Sequence, residues 1–128
     1  MSMKEAVIHV LTNYATFEGR ARRSEYWYFV LFNMIVHAAL GLLGSIFFGS
    51  DSASNLFTVL SSLYGLAVFI PNLAVTWRRL HDIGKSGACY FMILIPLVGP
   101  ILLLVWLLRD SEPGSNAYGP NPKETDYV

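Results

Sequence analysis

The sequence predicts an all-α membrane protein: three transmembrane helices, a short amphipathic interfacial helix before them and a turn-rich C-terminal tail after them. Two observations carry this. Of 128 residues, 54% are hydrophobic and only 14% charged, where a soluble domain holds about 25% charged residues. The nine basic and nine acidic residues also leave three charge-free stretches, Tyr26 to Ser50 (25 residues), Ser52 to Trp77 (26) and Ser86 to Leu108 (23). Each exceeds the roughly 20 residues that a helix rising about 1.5 Å per residue needs to cross a hydrocarbon core about 30 Å thick. A soluble globular enzyme is disfavoured and a disordered chain excluded.

The elements follow in order. Over residues 3–15, Met3, Ala6, Val7, Val10, Leu11 and Tyr14 recur at the spacing of one helical face, with Lys4, Glu5, Thr12 and Asn13 over much of the rest; such a helix lies in the membrane interface. Arg20, Arg22 and Arg23 precede Ser24, a capping residue for the first span, 26–48, which opens on the belt aromatics Tyr26, Trp27 and Tyr28. Gly49 to Asn55, with Asp51, forms the first turn, and the second span covers 56–77. Arg78 to Gly87 is the second connection, its Gly84 and Gly87 placed to end one helix and start the next. The third span, 88–108, contains Pro96, Gly99 and Pro100, and the tail is 109–128.

Counting Lys and Arg orients this layout, because basic residues beside spans stay in the cytoplasm. Lys4, Arg20, Arg22, Arg23, Arg78, Arg79 and Lys85 fall on one side, Arg109 and Lys123 on the other, so the expectation is an inner-membrane protein with its N-terminus cytoplasmic and its tail outside. The alternative is that Pro96 and Pro100 fold the last stretch into a re-entrant hairpin and return the tail to the cytoplasm. Irregular backbone at depth needs surrounding protein or water, and one small chain offers little. No signal-peptide core precedes the first span.

Inside the spans, Asn33, His37, Gly41 and Ser45 are spaced by four, as are Ser61 and Gly65, and Asn72 and Thr76. Small residues let helices approach, and Ser, Thr, Asn and His hydrogen-bond across the seam. His37 is the single ionisable residue well inside a span, about 16 Å along the helix from Tyr26, so a transport path along His37, Asn33 and Asn72 competes with plain packing. Catalytic motifs fail. Gly84-Lys85-Ser86 ends like a phosphate-binding loop, but Arg79 stands where that loop needs glycine. One cysteine, Cys89, makes neither an intramolecular disulfide nor a Cys-based zinc site. Zero net charge offers nucleic acid no field. No catalytic set, metal site or cofactor is expected.

The remaining signal is a charged cluster: Arg20, Arg22, Arg23 and Glu25 from one element, Arg78, Arg79, His81, Asp82 and Lys85 from another. Basic residues there serve topology and anionic headgroups, whereas Glu18, Glu25 and Asp82 among them suit an ordered Arg and carboxylate junction. Phe17-Glu18-Gly19-Arg20-Ala21-Arg22-Arg23-Ser24-Glu25-Tyr26-Trp27, Arg78-Arg79-Leu80-His81-Asp82-Ile83-Gly84-Lys85-Ser86-Gly87 and Asn116-Ala117-Tyr118-Gly119-Pro120-Asn121-Pro122 together resemble the three signature motifs of the bacterial domain-of-unknown-function 805 family. The resemblance runs from about Met3 to Pro122, departs at Ala88 where an aromatic is expected, and implies a small multi-pass cytoplasmic-membrane protein without an established activity.

Three functions compete. The first is a noncatalytic module whose cytoplasmic patch binds anionic lipid or a partner protein. The second is an oligomeric transporter or channel component using His37 and the Asn33/Asn72 seam. The last in rank is a surface enzyme with His81 and Asp82 as acid and base. A cytoplasmic tail would favour a composite site of Arg22, Arg79, His81, Asp82 and Tyr118.

Overall fold

The computed structural model describes residues 2–48 and 54–123. Four α-helices follow one another, α1 (Met3–Thr12), α2 (Arg23–Phe48), α3 (Ser54–Asp82) and α4 (Val98–Leu108), with a 3₁₀ helix, Gly87–Leu94, before the last. The expected first turn, including Asp51, lies outside the described residues.

Helix α1 is capped by Ser2, whose hydroxyl accepts from the Glu5 backbone N–H at 3.2 Å and donates to the Glu5 carboxylate at 3.2 Å. Its Ala6 and Val10 are buried, with Val10 in a cluster of Ala21, Phe29, Val68 and Val75. Ile8, Leu11 and Tyr14 face outward. The expected stripe is therefore split, one edge packed on α2 and α3 and the other exposed.

Tyr14 stitches α1 to a weak point of α3. Pro71 sits inside α3, has no N–H, and so leaves the carbonyl four residues earlier, that of Ala67, without its helical donor. The Tyr14 hydroxyl donates to that carbonyl. Tyr14→Phe is expected to cost about 1 kcal/mol, read as a lowered unfolding midpoint in detergent; an unchanged midpoint would mean that the lipid or water side supplies the bond.

Helices α2 and α3 pack as an antiparallel pair, and among the described residues they are the two long and apolar enough to cross a bilayer. Two boundaries differ from expectation. Ser24 lies within the first turn of α2 rather than capping it, and α3 continues through Arg78–Asp82, expected as connection. Its end is where the sequence placed it: Gly84, with φ of +80°, gives its N–H to His81 O at 3.0 Å while Lys85 N–H reaches Leu80 O at 3.0 Å. This paired closure with a left-handed glycine is the Schellman arrangement.

The third expected span is corrected. Residues 88–108 are no single helix but a hairpin, with the 3₁₀ leg Gly87–Leu94 and the α leg Val98–Leu108. Pro96 and Pro100 lack N–H donors, so a continuous ladder would lose two bonds. The chain reverses at Leu97, whose φ of +67° and ψ of −59° accompany a Val98 N–H to Pro96 O bond of 2.8 Å, a γ-turn of the strained, positive-φ kind. Gly99 makes the reversal possible, since a Cβ there would lie 1.7 Å from the Met92 carbonyl oxygen. Eight residues at about 2.0 Å and eleven at about 1.5 Å give legs of roughly 16 Å each, half a hydrocarbon core. At the tip Leu94 is 76% and Leu97 81% exposed.

Both legs are rooted at one end. Gly87 seats against the Trp77 indole, where a Cβ would fall 2.0 Å from the ring. At the other root, the last carbonyls of α4 have no helical donors of their own. Trp27 Nε1 donates to Leu107 O at 3.0 Å, Arg23 to Leu108 O at 3.2 Å, Arg79 Nε to Leu107 O at 3.4 Å, and Arg79 Nη2 to Arg109 O. Two cations at a helix C-terminus also complement its dipole. The tail consequently emerges beside the start of α2, not at the far end that a three-helix crossing requires.

Candidate functional site

The charge-free stretches push the charged residues to one end of the α2–α3 pair, and the hairpin and tail close over them. Asp82, the last residue of α3, is fully buried between two guanidinium groups: Arg20 Nε reaches Oδ1 at 2.9 Å and Arg79 Nη1 reaches Oδ2 at 2.7 Å. The Ser111 hydroxyl donates to the same Oδ2. One carboxylate cannot neutralise two cations, and backbone carbonyls take the remainder. Arg20 gives further N–H bonds to the carbonyls of Asp82 (3.1 Å), Glu112 (2.6 Å), Gly114 (2.8 Å) and Gly119 (3.2 Å). Its planar fork thus binds α3 on one edge and the tail on the other, which a lysine ammonium could not do.

A second buried carboxylate, Glu25, ties α1 to both long helices. Its Oε2 meets His9 Nδ1 at 2.7 Å and Arg78 Nη1 at 2.8 Å, while Arg78 Nε donates to Thr16 O at 3.0 Å. The buried positions sit where helix ends leave carbonyls and amides free, so each charge meets another charge or backbone, although Arg78 Nη2 itself is buried without a hydrogen-bond partner among the described residues. Burial alone would make such charges costly.

The tail completes the junction. Glu112 N–H bonds Asp82 O at 2.8 Å and Asn116 Nδ2 bonds His81 O at 2.9 Å, closing the last carbonyls of α3. The Tyr118 ring stacks on His81, centroids 4.0 Å apart and planes 2° from parallel. His81 Nδ1 lies 2.9 Å from Gly19 O; a carbonyl only accepts, so that nitrogen carries the proton. Tyr118→Ala is expected to weaken the docked tail by about 1 kcal/mol, seen as faster trypsin cleavage after Arg109. Wild-type cleavage kinetics would show the stack to be dispensable.

The structure therefore unites six of the nine cluster residues, Arg20, Glu25, Arg78, Arg79, His81 and Asp82, all buried. Three stand apart. Arg22 is half-buried, Arg23 is exposed, and Lys85 lies over the Trp106 ring at 4.9 Å. Of the composite set, Arg79, His81, Asp82 and Tyr118 meet and Arg22 does not join their hydrogen bonds. The acid-base reading of His81 and Asp82 loses its geometry, because the imidazole is covered by Tyr118 and both Asp82 oxygens are occupied. Among the described residues no group of three His, Cys, Asp or Glu could hold a metal ion.

Sequence reasoning missed His9, Ser111 and Glu112. The apolar stripe over residues 3–15 and the turn-rich tail over 109–128 mark their segments, but nothing local links His9 to Glu25 or Ser111 to Asp82.

The helix-packing set is largely joined. Asn33 Nδ2 donates to Asn72 Oδ1 at 3.2 Å, the unanticipated Tyr64 donates to Asn33 Oδ1 at 2.6 Å, and His37 Nδ1 meets Ser61 Oγ at 2.6 Å. Gly41 and Gly65 make no such bonds; with His37 and Ser61 they line an open groove of about 610 Å³ between α2 and α3.

No solved structure matches this chain. It is 40% identical to "Inner membrane protein YhaH" of Escherichia coli (strain K12) over 116 residues, which cover 91% of this chain and 94% of that protein. It is 43% identical to "Inner membrane protein YhaI" of the same organism over 116 residues, covering 91% and 93%. A more distant relative, "Uncharacterized protein YiiR", is 27% identical over 138 residues, covering 88% and 89%. A profile of the family described as "Protein of unknown function (DUF805)" matches residues 14–120, a range holding the first two motifs, the third as far as Pro120 and both Asp82 ion pairs seen among the described residues, and the chain belongs to that family.

Proposed function

We propose that the protein is a noncatalytic module of the cytoplasmic membrane, in which α2 and α3 cross the bilayer, α1 lies in the interface, and the hairpin enters from the cytoplasmic face to about mid-depth. The buried junction holds these parts in one arrangement. The cations it leaves outside its ion pairs, Arg22, Arg23, Lys85 and Arg109, meet anionic headgroups or a partner protein. The relatives named as inner membrane proteins support the location, and the basic residues gathered at one end support a cytoplasmic junction. The observation that carries the reading is the Arg20 clamp on the tail carbonyls, which binds the tail to the basic end. The apolar tip at Leu94 and Leu97 suits hydrocarbon and would be costly in water.

The expected result follows directly. A reporter fused after Val128 that works only in the cytoplasm is active, and reconstituted protein associates with phosphatidylglycerol in preference to phosphatidylcholine. A reporter active only outside the cytoplasm would overturn the topology, and equal association with both lipids would remove the headgroup role.

A second reading, an oligomeric transport path, draws on the open groove beside His37. His37→Leu should then abolish a measured flux, while a strictly monomeric protein in bilayers would count against a path that two spanning helices and a half-depth hairpin cannot enclose.

A further inference from the structure

One groove outside the junction has the amphipathic character of a single lipid molecule. Arg23, Ser24, Trp27, Tyr28, Leu31 and Leu108 line a groove of about 480 Å³ between the first turns of α2 and the end of α4. That volume falls within the range of small-molecule pockets. Arg23, Trp27 and Leu31 are spaced by four and so form one ridge of α2, running from a guanidinium at the rim to an aliphatic side chain about 12 Å deeper.

The cation is available for a ligand. Arg20, Arg78 and Arg79 are buried and paired with carboxylates, whereas Arg23 is exposed, forms no ion pair among the described residues, and donates one N–H, from Nη1, to Leu108 O at 3.2 Å. That single bond steers the guanidinium over the groove without consuming its fork. The Asp110 carboxylate feels the Arg23 charge but forms its hydrogen bonds with Lys123, at 2.9 and 3.0 Å, and Arg109 beside it is a second exposed cation. The floor is rigid, because Trp27 Nε1 is anchored on Leu107 O at 3.0 Å. A cationic rim over an aromatic and aliphatic floor, at the belt level of a span, is complementary to a phosphate with an acyl chain beneath it.

We infer that this groove seats one anionic phospholipid of the surrounding bilayer, its phosphate on Arg23 and one acyl chain along Trp27, Leu31 and Leu108. This rests on the headgroup reading above and narrows it to one of the four cations that reading left outside the ion pairs.

The test uses full-length protein in bilayers and spin-labelled phosphatidylglycerol and phosphatidylcholine, whose relative association is read from the motionally restricted spectrum. Wild type should prefer phosphatidylglycerol, and Arg23→Gln should reduce that preference about fivefold, the effect of one basic residue at the surface. Arg23→Lys should retain most of it, which separates lost charge from lost folding. Leu31→Trp, filling the floor, should lower restricted lipid of both kinds. A preference in wild type that Arg23→Gln leaves intact, or that only Arg22→Gln or Arg109→Gln removes, would overturn the site while sparing the general reading. No preference in wild type would overturn both.

Discussion

Asp82→Asn is expected to be the most damaging single polar substitution. It leaves Arg20 and Arg79 buried without the carboxylate that both contact at under 3 Å, and uncovering a buried ion pair costs about 3–5 kcal/mol. Because Arg20 also holds the tail, the loss should appear twice: as a lowered unfolding midpoint in detergent and as rapid trypsin cleavage after Arg109, whose carbonyl is otherwise bound by Arg79. Lys123→Ala is the control. It removes an exposed pair with Asp110, worth about 0–1 kcal/mol, and should leave the midpoint nearly unchanged. If the two variants unfold alike, the carboxylate is not what holds the junction.

Gly99→Ala should break the hairpin rather than the junction. Its methyl would meet the Met92 carbonyl oxygen at 1.7 Å, and a backbone oxygen cannot rotate away as a side chain would. Overpacking of this kind costs about 3 kcal/mol, and here it acts against a turn already held at positive φ. The native probe is Cys89, the one cysteine of the chain, half-buried in the first leg. Its labelling by a water-soluble maleimide should rise severalfold in Gly99→Ala. Gly41→Ala, with no atom within 4 Å of the added carbon, should label like wild type. Equal labelling of all three would mean that the reversal does not depend on Gly99.

Much of the scaffold was legible because its signals are local. Charge-free length gives α2 and α3, the apolar stripe gives α1, and Gly84 ends α3 because only a left-handed residue can close that turn. The Asn33, His37 and Ser61 seam followed from a spacing of four along helices whose neighbours were forced to be each other. The charged cluster was visible as two dense segments, and its carboxylates hinted at pairing rather than open display.

The third stretch was not legible in the same way, because hydropathy measures how apolar a segment is and not how far it travels. Twenty-three charge-free residues suit a full crossing or two half-depth legs equally. What separates them is whether other elements can satisfy the backbone freed at Pro96 and Pro100 and at the end of α4. Trp27, Arg23 and Arg79 do so for the α4 end from positions 28 to 85 residues away.

By itself, then, the sequence determined that the chain is helical, that it carries charge-free stretches long enough to cross a bilayer, and that half of its charges collect in two segments, since each property depends on residues within a few turns of one another. Only the tertiary structure decided that two of the three stretches are helices able to span, that the tail returns to the charged end, and that five of those charges, with His81, face inward. Arg20 meets Asp82 across 62 positions and Gly119 across 99, and whether a guanidinium is spent on the protein's own carboxylate and carbonyls or left for a headgroup depends on which distant oxygens the fold brings within 3 Å.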